Sequence, residues 1–296
     1  MITRRQFLGG LTGGMALASG FGGYAFGFEP RFRLVVTEWD LATPKWRHAR
    51  PLRIVILADI HACEPWMPLG RIRSIVADAN ALGGDIILLL GDFTAGLGRF
   101  KTGPVPARDW GSALAELDAP LGVHAIPGNH DWWTNIAEVK DALAAAGIAV
   151  YQNRAQRLGG ATPFWLAGTD SLVAHRLPGH GNFSGEDDLP ATLAQIADDE
   201  PAILMAHEPD LFVDVPDRFA VTLSGHTHGG QVRLPFLGRP VVPSAFGQRF
   251  AYGHVREEGR DLIVSAGLGC SILPVRFGVP PEITVVTLRP GEPVSV

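Results

Sequence analysis

Five short motifs in this chain carry side chains suited to holding metal ions: Asp59-Ile60-His61, Asp92, Asn129-His130-Asp131, His207 and His226-Thr227-His228. Each follows an apolar run: Ile54 to Ala58, Asp85 to Leu90, Leu121 to Ile126, Ala202 to Ala206 and Phe219 to Leu223. Such continuous runs read as strands covered on both faces, and a doubly buried strand has no place for a charge. The polar residues therefore mark strand ends, and five such ends on one sheet edge converge on one place. The donors are carboxylate oxygen, imidazole nitrogen and one amide oxygen, with no thiolate. That set disfavours a structural zinc cluster and suits Mn²⁺, Fe or Zn²⁺. A single carboxylate, Asp92, is able to bridge two ions ~3.5–4 Å apart. Such a pair lowers the pKa of a bridging water and gives hydroxide near neutral pH, a nucleophile for in-line attack on phosphorus. The cations would offset charge on the phosphate oxygens.

The elements that position these residues follow from the pattern. An edge strand is predicted over 31–40. Helices are predicted over 68–81, 109–118, 135–146 and 189–197, interleaved with the apolar strands. Further strands are predicted at 148–151, 155–158, 163–168, 248–256, 261–265 and 282–288, with long loops at 169–188 and 232–247. Buried strands alternating with helices, then a strand-rich second half, imply an α/β protein: a two-sheet β-sandwich flanked by helices, in four layers α/β/β/α. Ligands in such folds sit beyond the strand C-termini.

Composition narrows the classes. The 296 residues carry 25 Lys+Arg against 30 Asp+Glu, a net charge of −5, which excludes a polyanion binder held by bulk positive charge. No basic stripe with interleaved aromatics appears, so no nucleic-acid partner is expected. A hydrophobic fraction of 46% excludes a disordered chain. The two cysteines, Cys63 and Cys270, exclude a disulfide-dense scaffold, although they could pair with each other. Residues 1–28 read apart: Arg4-Arg5 precedes an uncharged, glycine-diluted stretch from Gln6 to Phe28. The Thr3-Arg4-Arg5-Gln6-Phe7-Leu8 run resembles a twin-arginine export signal. It implies export by that machinery to the periplasm or the outer face of the cytoplasmic membrane, with the segment either cleaved or kept as an anchor. The organisation expected is 1–28 signal or anchor, 29–50 entry strand and linker, and 51–296 the main domain.

Asp59-Ile60-His61, Gly91-Asp92, Gly128-Asn129-His130-Asp131, His207 and Gly225-His226-Thr227-His228 together resemble the motif set of calcineurin-like metallophosphoesterases, in order and spacing, over roughly residues 52–288. The resemblance implies a metal-dependent phosphoric ester hydrolase with two divalent ions. Asp59, His61, Asp92 and His228 would hold the first ion, and Asp92, Asn129, His207 and His226 the second. His130 matches a histidine that contacts phosphate and protonates the leaving oxygen, with Asp131 orienting it. The run Gly91-Asp92-Phe93-Thr94-Ala95-Gly96 lacks the Asp and Arg that phosphoprotein phosphatases carry there. The export signal, Glu29-Pro30, His228-Gly229-Gly230-Gln231 and Pro281-Glu282-Ile283 resemble a bacterial envelope subgroup of membrane-associated phosphodiesterases or phosphatases. A lipid-linked or other envelope phosphoester is therefore the expected substrate. The alternatives are a UDP-2,3-diacylglucosamine-type pyrophosphate hydrolase and, from another class, a catalytically silent metal-binding envelope protein.

The other polar residues read as structural. His48, His124, His175, His180 and His254 stand alone, and Asp170 with Asp187-Asp188 suits a solvated loop. Arg176 and Arg276 suit either a structural role or a phosphate clamp. Trp66 to Leu69, Trp132-Trp133, Pro235 to Leu237, Val241 to Pro243 and Phe246 suit packing, or an apolar rim that meets lipid.

Overall fold

Apolar side chains alternate between two faces along each central strand, and this alternation sets the layers. In Leu52–Leu57, Ile54 and Ile56 enter one buried cluster while Val55 and Leu57 enter another. In Ala202–Met205, Ile203 and Met205 join the cluster of Ile54, while Ala202 and Leu204 enter a third. The shared cluster lies between two sheets, and the other two lie under the outer layers.

The computed structural model describes residues 19–95, 97, 100, 102–179 and 181–291. The first sheet has six strands, in spatial order Val35–Thr43, Glu282–Pro290, Leu52–Leu57, Ile86–Leu89, Val123–Ala125 and Ala149–Val150. Only the contact between Glu282–Pro290 and Leu52–Leu57 is antiparallel. The second sheet, also six-stranded, runs Gly253–Glu257, Arg260–Val264, Val221–Ser224, Ala202–Met205, Phe164–Gly168 and Arg154–Leu158. Its inner four strands are parallel and both edge strands pair antiparallel. Helices Leu69–Ala81, Ala107–Leu114 and Ile136–Ala145 cover the first sheet through Ile72, Ile75, Val76, Trp110, Val139 and Leu143. Leu189–Leu193 and the 3-10 turn Pro209–Val213 cover the second, with Phe212 against Phe250. The expected four-layer α/β/β/α sandwich is the observed one.

Several boundaries differ, each for a local reason. The edge strand begins at Val35, because Glu29–Phe32 forms a helical turn with Pro30 early in it. The Glu29 carboxylate is buried and accepts from the N–H groups of Val279 (2.9 Å) and Gly278 (3.2 Å). Asn129–Thr134 forms a helix at once, where strand-end loop was expected. Inside the loop 169–188, His175–Arg176 pairs with Phe183–Ser184. Cys63 and Cys270 are both buried free thiols. Arg4-Arg5 and most of the 1–28 segment lie outside the described residues, and no helix among those described is long and apolar enough to cross a membrane.

Ile203 is fully buried between the sheets. Ile203→Ala is expected to cost ~2–5 kcal/mol through lost burial and a residual cavity, read as a lower urea midpoint at unchanged slope.

Candidate metal centre

The parallel strands of both sheets bring their C-terminal ends to one edge, and the expected motifs meet there. Asp59 and His61 follow Leu52–Leu57, Asp92 follows Ile86–Leu89, and Asn129 to Asp131 follow Val123–Ala125. His207 follows Ala202–Met205, and His226 and His228 follow Val221–Ser224. Two groups form, with donor atoms within 4.8 Å of one another: Asp59, His61, Asp92 and His228, and Asp92, His207 and His226. Asp92 belongs to both. Its Oδ2 lies 3.4 Å from His61 Nε2 and 3.3 Å from His207 Nε2. Asn129 Oδ1 completes the second group, 2.8 Å from His226 Nδ1 and 3.2 Å from His207 Nε2.

Sharp backbone turns make this convergence possible. Asp59 (φ 54°), His61 (45°), Asp92 (56°), His226 (67°) and His228 (52°) all sit in the left-handed region, which costs a non-glycine residue steric energy. Two glycines admit the closest approach. A Cβ on Gly128 would lie 2.3 Å from Asp92 Oδ1, and one on Gly91 (φ 87°) would lie 2.6 Å from Gly128 N.

Backbone carbonyls fix two of the rings. His61 Nδ1 donates to Thr94 O (2.7 Å) and His207 Nδ1 donates to Leu90 O (2.5 Å), so each turns Nε2 toward the cluster. The Asp59 carboxylate accepts from the His226 N–H at 2.9 Å, and Asp92 Oδ1 accepts from the His130 N–H at 2.8 Å. Arg276 is completely buried. It donates to the carbonyls of Ala266, Gly267, Gly269 and Val279 and places Nη2 3.4 Å from His228 Nδ1, so its guanidinium braces the loop behind the site.

The electrostatics call for positive charge. Burial pushes the Asp59 carboxyl up to about 7. Burial also opposes ionisation of Asp92, yet the charge and hydrogen bond of His207 beside it hold it well below the usual carboxylate range. Burial likewise opposes charge on His207, but Asp92 and its neighbours raise that ring well above the ordinary imidazole value. A proton on His207 thus supplies the charge the carboxylates require. Burial keeps His61, His226 and His228 below the ordinary value, as neutral rings able to act as ligands. His61 Nε2 faces His228 Nε2 at 3.0 Å, and two such nitrogens need a proton or a cation between them. The donor set, its burial and its charge balance all fit a metal.

Two expectations are corrected. Asp131 does not orient the His130 ring. Its carboxylate accepts from the N–H groups of Asp92, Gly128, Phe93 and Thr94 (2.9 to 3.2 Å), and it holds the Gly91-Asp92 turn in place. Asp170 is buried, not solvated, and accepts from Trp132 Nε1 and Gln152 Nε2, each at 2.7 Å. The partner of His130 is Ser271, whose Oγ is 3.1 Å from His130 Nε2. Ser271 carries no metal-ligand chemistry that would mark it in the sequence. The signal available was the glycine-rich run Gly267 to Cys270 after one more strand of the same sheet, Arg260–Val264. Of the solitary histidines, His48, His124, His175 and His254 bond elsewhere, to Pro163 O, Leu121 O, Glu186 and Asp261, and His180 lies outside the described residues.

A cleft of 440 Å³ opens over the cluster. Asp92, Asn129, His130, His226 and His228 form its floor, and Trp133, Val241, Pro243, Ile272 and Leu273 are among its walls. Arg176 lies at its side, with its guanidinium 3.8 Å from the centre of the Trp133 ring.

This chain belongs to the calcineurin-like phosphoesterase family, whose model matches residues 52–230. It is accordingly a metal-dependent phosphoric ester hydrolase. YkuE of Bacillus subtilis strain 168, an uncharacterized metallophosphoesterase, is 32% identical over 97% of this chain and 98% of its own. The phosphodiesterase YaeI of Escherichia coli K12 is 33% identical over 97% of this chain and 100% of its own. Among solved structures, the 5′-nucleotidase precursor of Thermus thermophilus superposes at a TM-score of 0.48 with 14% identity, covering 74% of this chain and 50% of that one.

Metal uptake is expected to release protons. Below pH 7 the Asp59 carboxyl holds a proton that a metal must displace, and His207 holds another to higher pH. Affinity for Zn²⁺ or Mn²⁺ should rise ~10-fold per pH unit for each proton displaced. Calorimetry in buffers of different ionisation enthalpy should count at least one proton released at pH 6.

Proposed function

We propose that this protein hydrolyses phosphodiesters with two divalent ions shared across Asp92, and that its substrate is an amphiphilic, lipid-linked phosphoester of the cell envelope. The observation that carries the reading is the membership of Asp92 in both donor groups at the floor of one cleft. In this reading Asp59, His61, Asp92 and His228 would hold one ion, and Asp92, Asn129, His207 and His226 would hold the other. Such ions, Mn²⁺, Fe or Zn²⁺, would supply charge for the phosphate oxygens and an acidified water as nucleophile.

The protein's own contribution is positioning and a proton. His130 is the floor histidine outside both donor groups. Burial depresses its ring to about 3, so it meets substrate neutral. A phosphate anion beside it favours the protonated form, and the ring then donates to the leaving oxygen. Ser271 holds it in that direction. The apolar wall of Val241, Pro243, Ile272 and Leu273 takes the hydrocarbon part of the substrate, and Arg176 faces its anionic part. The relative named a phosphodiesterase supports a diester, and the twin-arginine sequence supports export with membrane association through the N-terminus. A catalytically silent metal protein fits less well, because the site lacks none of its expected residues.

The test is a panel of mono-, di- and pyrophosphate esters, with and without acyl chains, on metal-loaded protein. Asp92→Asn should abolish cleavage of bis-p-nitrophenyl phosphate. His130→Ala should keep its metal yet turn over ~10²–10⁴-fold more slowly. A metal-replete wild-type protein that cleaves none of the panel overturns the reading.

A further inference from the structure

We propose that the mouth of the metal site is a docking surface for an anionic lipid bilayer. Phe236 and Leu237 would enter the interfacial layer first, with Val241, Ile272 and Leu273 behind them. Phe236 is 108% exposed, Leu237 73%, Val241 70% and Ile272 66%. Scattered exposed apolar residues are ordinary. These fall on two neighbouring stretches: Val241, Ile272 and Leu273 line one cleft, and Phe236 and Leu237, just before Val241 in the chain, form the tip of a turn closed by paired backbone bonds between Leu234 and Gly238.

Three further observations favour lipid. Phe236 (φ 66°) and Ile272 (φ 63°) both hold the left-handed backbone, which glycine or asparagine adopts at less steric cost. Fold stability alone gives no reason for an exposed aromatic or β-branched side chain at such positions. The segments that carry these residues hold no acid of their own, while the Asp210 carboxylate packs against one of them by accepting from Ser244 Oγ and the Ala245 N–H. No acidic residue lies between Asp217 and Glu257 or between Asp261 and Glu282, in a chain of net charge −5, while Arg233 and Arg239 flank the tip. The surface also continues into the helical segment 19–32, where Phe21, Phe26, Phe28 and Phe32 are exposed. Phe21 packs on Phe277 at 4.5 Å, and Phe277 bridges Val232, where the turn departs. Preceding residues from Gln6 onward carry no charge, and Arg4-Arg5 precede them. Apolar side chains beside isolated arginines suit the headgroup boundary of an anionic leaflet. Docking there requires no turnover, so it goes beyond the catalytic reading.

The test uses the full chain. Cys63 and Cys270 are buried, so a cysteine introduced as Phe236→Cys takes an environment-sensitive fluorophore selectively. Arg108→Cys, on the outer helix Ala107–Leu114, is the control. With vesicles of phosphatidylglycerol and phosphatidylethanolamine, the label at 236 should shift to the blue and be quenched by lipid-borne quenchers, and the label at 108 should not. Phosphatidylcholine vesicles should give a weaker response. Phe236→Ser/Leu237→Ser should lower vesicle partition ~10-fold or more and leave cleavage of a soluble ester unchanged. Three results would overturn the proposal: a label at 236 that stays in water while the protein binds vesicles, a double variant that partitions like wild type, or a blue shift that depends on protein concentration without lipid. The first two assign binding to the N-terminal segment alone, and the third assigns the surface to a second copy of the chain.

Discussion

The rest of the structure depends on the charge balance between two wholly buried carboxylates, Asp59 and Asp92, and the imidazoles around them. Removing a carboxylate from water is costly unless opposite charge and hydrogen bonds replace the water. Here Asp59 accepts from the His226 amide and Asp92 from the His130 amide, while His207 supplies a proton. The remaining acceptors and neutral rings point inward at one another. A fold that gathers so many buried electron-pair donors in one place is organised around a cation.

That requirement explains the strained backbone. Five of the converging residues are held in the left-handed region, a cost that persists only where surrounding structure fixes it. Asp131 does so for the Gly91-Asp92 turn, with its carboxylate gripping four backbone amides. Arg276 does the same for the Gly267 to Gly269 loop. Neither side chain is a member of either donor group, and both decide where members lie. The sandwich supplies the rigidity, because strands buried on both faces leave the loops at their ends little freedom to move apart.

The cleft joins two environments. Its floor is polar and set by the strand ends, and its walls are apolar and set by long loops that follow them. The same loops carry the exposed residues at the mouth, so the site faces whatever those residues touch. An acyl-bearing substrate and a lipid surface are chemically continuous with such walls.

Much of this was legible in the sequence. Apolar runs ending in Asp, Asn or His identified strands and site together, because a buried strand excludes charge until it emerges. The four-layer sandwich followed from the same runs. Residues that act through geometry were not legible. Asp131 serves amides rather than His130, Asp170 is buried under Trp132, Ser271 holds His130, and Arg276 holds carbonyls. The amino-acid order alone determined which residues could bind a metal and that they stood at strand ends. Tertiary structure decided which histidine keeps a proton, what holds the His130 ring, and which apolar residues face outward. Those outcomes depend on burial and on contacts between segments far apart in the chain, and neither is written in local pattern.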